Sequence, residues 1–188
     1  MKRILLPLLL LPHMALAHGG APIHSPFASG LAHPAGGLDH VLAMVAVGLW
    51  AVMIGGRAIW ALPLAFVAAM IAGGLAGALG IPLPGVEPMI LASIVVLGVA
   101  AALALKPKLT HAIIFVVIFG VFHGHAHGAE GPATGLAAYA AGFALMTMGL
   151  HLAGVAIGAT LMRFARGVLP RVLGGLTALG GVILAIGG

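Results

Sequence analysis

The sequence predicts an all-α membrane protein: a polytopic helical bundle of six transmembrane helices after a cleavable signal peptide. Three observations predict it. Hydrophobic residues make up 62% of the chain and charged residues only 6%, where a soluble domain carries about a quarter charged. The mean hydropathy is +1.25, so most of the chain has no means of facing water. Beyond residue 37 the apolar residues fall into long runs, each near the roughly 20 residues needed to span about 30 Å of hydrocarbon. The few charges sort by sign onto opposite ends of those runs. The length suits one membrane domain, 18–188, behind a signal segment, 1–17.

The signal comes first. Lys2 and Arg3 form a short positive region, Ile4–Pro12 is apolar but too short to span, and Ala15-Leu16-Ala17 is a small-x-small cleavage site. An uncleaved anchor is the alternative. Cleavage places His18 at the mature N-terminus, outside the cytoplasm, as in a protein of the bacterial inner membrane with a periplasmic N-terminus.

A polar stretch bearing Gly and Pro, His18–Gly37, precedes apolar runs at about 38–55, 58–79, 87–105, 109–128, 134–162 and 168–187. With the N-terminus outside, the inner loops hold Arg57, Lys106, Lys108, Arg163, Arg166 and Arg171. The three acids, Asp39, Glu87 and Glu130, fall at outer ends. The positive-inside rule is obeyed throughout, and both mature termini are expected in the periplasm. Gly73/Gly77, Gly120/Gly124/Gly128 and Gly154/Gly158 recur at intervals of four, a spacing that lets helix backbones approach closely in lipid.

Several functions are excluded by composition. The pI of about 10.9 suggests nucleic-acid binding, but the eight basic residues are scattered between apolar runs and make no basic face. No cysteine is present, which removes disulfides, thiolate metal sites and Cys nucleophiles. Histidine is abundant, at ten residues. A transition-metal site here must therefore use imidazole, carboxylate, thioether or backbone ligands.

The topology places most histidines on the outer side: His18, His24, His33 and His40 before or at the start of the first run, and His123, His125 and His127 at the end of the fourth. Two constellations stand out. In Phe122–Glu130, a helix would put His123, His127 and Glu130 on one face and His125 on the other. The glycines there weaken helicity, so an unwound end is the alternative. In His33–His40, Pro34 and the paired glycines favour a turn that returns His33 towards Asp39 and His40. Met44 lies one turn below His40. Ionisable groups within a bilayer mark substrate pathways, so these residues read as metal-handling. His151, within the fifth run, is equally readable as a helix-bonded structural residue.

The residues also carry a family resemblance. His33-Pro34-x-x-Gly37-x-Asp39-His40 is similar to the HPxxGxDH signature of the HupE/UreJ family. Phe122-His123-Gly124-x-Ala126-His127-Gly128-x-Glu130 resembles that family's FHGxAHGxE motif. The resemblance extends to the signal, the six-helix plan and the length. It implies a permease, not an enzyme, that moves nickel, with cobalt as the alternative cargo, for hydrogenase or urease maturation. By the same resemblance His33, Asp39, His40, His123, His127 and Glu130 are the expected metal residues. The expected partners are the ion and the lipid bilayer, with no prosthetic group and no nucleic acid. Two rival readings are an intramembrane zinc-dependent hydrolase, in which such ligands activate a water, and a metal-binding accessory protein that does not transport.

Overall fold

In lipid, backbone N–H and C=O groups have no water to bond and must be satisfied within each segment. The computed structural model, which describes residues 25–164 and 167–187, meets this demand with helices alone among the described residues. The expected signal peptide, His18, His24 and Arg166 lie outside the described residues.

Seven helices follow in order: α1 (Pro26–Gly36), α2 (Leu38–Ile54), α3 (Ala58–Ala78), α4 (Val86–Ala102), α5 (Leu109–Ala129), α6 (Leu136–Phe164) and α7 (Val168–Gly187). Helices α3, α5, α6 and α7, of 21, 21, 29 and 20 residues, are long and apolar enough to cross a membrane. Helices α1 and α2 reach that length only together, and they are bent by 82°. Helix α4 is apolar but has 17 residues, short of the roughly 20 that a span needs. Length and composition thus support four spans, or five with the bent pair. The six apolar runs of the sequence nonetheless coincide with α2 to α7 within a few residues.

The first helix lies within the polar stretch that bears Gly and Pro, where the sequence favours a turn about Pro34 and the paired glycines. Ser25 accepts a hydrogen bond from the Ala28 N–H at 3.3 Å, Pro26 occupies the first turn, and the helix continues through Pro34. The turn falls at Gly37, whose extended backbone (φ −108°, ψ 123°) separates α1 from α2. His33 and Pro34 are therefore helical, and α1 packs along α6.

Three close pairings build the bundle: α3 with α5, α2 with α6, and α4 with α7. The seam between α3 and α5 runs parallel. A Cβ on Gly120 would meet Phe66, one on Gly124 the Met70 carbonyl, and one on Gly128 the Gly74 carbonyl. Glycines at that spacing let the two backbones touch. They do not unwind α5, which stays helical to Ala129 with α3 packed along its glycine face, so of the two alternatives the helical one holds. Outward-facing leucines, isoleucines and valines on α3, α5, α6 and α7 are exposed, as lipid-facing residues are.

The ends of the helices sort by charge. Arg57 caps the start of α3, Arg163 lies in the last turn of α6, and Lys108 caps the start of α5. Asp39 and Glu87 lie in the first turns of α2 and α4, and Glu130 caps the end of α5. Two bonds tie the basic end: Trp50 Nε1 donates to the Leu105 carbonyl at 2.9 Å, and Arg171 Nε to the Ala102 carbonyl at 2.9 Å.

Candidate metal site

The acidic ends of the helices surround a cavity of about 540 Å³. Its lining includes His33, Asp39, His40, Glu87, His127 and Glu130. The chain has only three acidic residues, and all three line this one cavity.

Two imidazoles meet at its floor. His40, in the first turn of α2, and His127, near the end of α5, bring their Nε2 atoms to 2.5 Å. Two bare nitrogen lone pairs repel each other. The pair is stable with one proton between them, and a small parting of the rings would let one cation face both. His40 is oriented from behind: its Nδ1 lies 2.8 Å from Asp39 Oδ1. A carboxylate that accepts a hydrogen bond from Nδ1–H fixes the tautomer and turns the Nε2 lone pair outward, as in metal-ligating histidines. Asp39 and His40 are adjacent in the sequence and both lie in a helix first turn, where the dipole also favours the carboxylate.

A second group sits at the rim. His33, His127 and Glu130 offer ligand atoms that lie within 4.8 Å of one another. Two ligands bound at about 2.0–2.2 Å to one ion lie at most about 4.4 Å apart. Small side-chain rotations of the exposed His33 and Glu130 bring the three into range. His33 reaches His127 from α1, ring centroids 4.8 Å apart, and leans on Tyr139 and Phe143 of α6. Its route to the site is through the α1–α6 packing, not through the Pro34 turn the sequence suggested.

His123 is placed otherwise than expected. It shares a face with His127 but lies one turn away along α5, fully buried, with its ring 5.4 Å from that of His40. It does not join His127 and Glu130 in the rim group. His125 points away from the cavity, as the helical spacing predicts, and its Nε2 donates to the Ile81 carbonyl at 2.7 Å. His111 is exposed near the opposite end of α5. Met44 is fully buried one turn below His40.

The sequence reading missed two residues. Glu87 lines the cavity from α4; its scarcity value as one of three acids, at a predicted outer end, was the available signal. Phe66, fully buried on α3, packs against His123 with centroids 5.3 Å apart. Nothing in its sequence context marks it.

What the helices define is a multi-pass membrane protein with a polar mouth, whose lining is imidazole and carboxylate on otherwise apolar walls. Comparison with known proteins specifies the kind. The chain belongs to the HupE / UreJ protein family, whose model matches residues 6–184. It is 44% identical over 180 residues to Protein HupE of Rhizobium leguminosarum bv. viciae, a match covering 95% of this chain and 94% of that protein. No solved structure matches the chain.

Proposed function

We propose that this protein is a permease that carries Ni²⁺ from the periplasm to the cytoplasm across the bacterial inner membrane, and that His33, Asp39, His40, His123, His127 and Glu130 handle the ion. The observation that carries the reading is the convergence of every carboxylate in the chain with three histidines on one cavity. Such a lining collects a divalent ion: the carboxylates offset its charge, and imidazole suits nickel, with Co²⁺ the nearest alternative. Membership of the HupE/UreJ family supports a transporter and not an enzyme.

Orientation follows from the charges. The basic ends of the helices belong on the cytoplasmic side, which puts the cavity in the periplasm. A potential negative inside contributes about 2.3 kcal/mol per elementary charge per 100 mV, and so about twice that for a divalent ion. Inward movement needs no coupled proton. The supplied nickel serves maturation of a nickel enzyme, a hydrogenase or a urease.

The test is accumulation of radioactive Ni²⁺ by proteoliposomes holding an inside-negative potential and no pH gradient, with Co²⁺ and Zn²⁺ as competitors. Potential-driven accumulation, relieved by competitor, is the expected result. Vesicles that bind nickel but never accumulate it would overturn the permease reading.

A further inference from the structure

Below the mouth the aromatic rings continue as a column. His40 faces His123, His123 packs on Phe66 at 5.3 Å between centroids, and Phe66 packs on His151 at 5.0 Å. Depth follows from helical rise. His123 precedes His127 by four residues on α5, about 6 Å further from the mouth. On α6, Phe143 lies against His127 with centroids 4.4 Å apart, and His151 follows eight residues later, about 12 Å deeper.

His123 and His151 share one construction. Both are fully buried. His123 Nδ1 donates to the Phe119 carbonyl at 2.9 Å, and His151 Nδ1 to the Thr147 carbonyl at 2.7 Å. A carbonyl can only accept, so Nδ1 carries the proton in each ring and Nε2 presents a lone pair. Neither Nε2 has a hydrogen-bond partner among the described residues. His125 and His127 also bury a ring nitrogen without a partner, but only His123 and His151 combine a bare Nε2, the same tautomer and packing against one phenylalanine. An imidazole anchored through one nitrogen with the other left bare is the form a metal ligand takes. The neighbours are compatible: Thr147, also fully buried, donates from Oγ1 to Met70 Sδ at 3.6 Å, which puts a hydroxyl and a thioether one turn from His151 and Phe66 respectively.

We propose that His123 and His151 are successive nitrogen donors of an inner station, packed about Phe66, that receives the divalent transition-metal ion from the mouth. The inference rests on the permease reading. All three carboxylates remain at the mouth, so this station is neutral and holds the ion weakly. A site passed in transit requires that weakness, since an ion bound too well is not released.

Two variants test it. His151→Phe removes both nitrogens while keeping an aromatic ring in the buried space. Equilibrium binding of radioactive Ni²⁺ at the mouth should change less than about twofold, while uptake into proteoliposomes should fall about tenfold or more, an uncoupling that a purely structural role does not produce. Wild-type uptake in this variant would overturn the inner station and leave the permease reading standing. Wild-type protein that never accumulates nickel would overturn both. His151→Cys supplies an independent readout, because the chain has no other cysteine. Saturation of the purified variant with Co²⁺ should produce a thiolate-to-cobalt charge-transfer band, since thiolate is a good ligand for such ions. Absence of that band with the mouth saturated would overturn the proposal, whatever the fate of the Phe variant.

Discussion

His40 and His127 stand 87 residues apart in the chain, and their Nε2 atoms meet at 2.5 Å. Nothing in either helix alone requires this. It follows from α2 and α5 being held at one level, with Asp39 turning the His40 ring so that its free nitrogen faces α5. The contact makes the two imidazoles one unit, so on the proposed reading a cation there would answer to both.

That unity is measurable by a double-mutant cycle on nickel affinity. His40→Ala and His127→Ala should each weaken binding about tenfold or more. The double variant should lose less than the sum, with a coupling of about 0.5–3 kcal/mol. Additive losses would mean that the two rings serve separate ions.

Asp39 acts through His40. Asp39→Asn keeps the size and removes the charge, so His40 loses its fixed tautomer. Nickel affinity measured by calorimetry should drop about 10- to 100-fold, with no change in helical content by circular dichroism. Unaltered affinity would remove Asp39 from the site.

Proton competition sets the pH dependence. A protonated imidazole has no lone pair for a metal, and metal binding to histidine releases protons. Lowering the outer pH from about 7.5 to about 5.5 crosses the range in which imidazole ordinarily titrates. Uptake of radioactive Ni²⁺ should therefore fall steadily as the outside is acidified. A profile that rises as the outside is acidified would argue against imidazole ligands at the mouth.

The α3–α5 seam gives a stability contrast. Gly124→Ala drives a methyl into the Met70 carbonyl, and overpacking of this kind costs about 1–3 kcal/mol. Gly149→Ala, on α6, meets nothing within 4 Å and should be neutral or stabilising by about 0.5–1 kcal/mol, since glycine is a poor helix residue. Thermal unfolding in detergent reads both. Equal midpoints for the two variants would show that the seam is not close-packed.

Much of the architecture was legible because lipid imposes local rules. A span must be apolar along its whole length, so hydropathy located α2 to α7 within a few residues of where they lie. Glycine spacing marked the faces of α5 and α6 that approach neighbours. The misreading came from treating local preference as decisive. Pro34 was read as part of a turn, yet it is carried inside α1 while Gly37 bears the break. The glycines of Phe122–Glu130 leave helix and unwound end both open by local preference, and packing against α3 decides for the helix.

The two histidine motifs that open the case are separated by more than eighty residues, and each could be recognised from the chain alone. The sequence by itself determined that this is a helical membrane protein, which ends of its helices carry acids or bases, and which residues are chemically able to bind a metal, because composition, span length and residue type are local properties. The tertiary structure decided which of those residues meet. It put His33 on His127 through α6, moved His123 out of the rim group and against Phe66, and drew Glu87 in from α4. The reason is physical: helix pairing follows the fit of small-residue faces along whole helices, and side chains at a helix end go where that packing carries them.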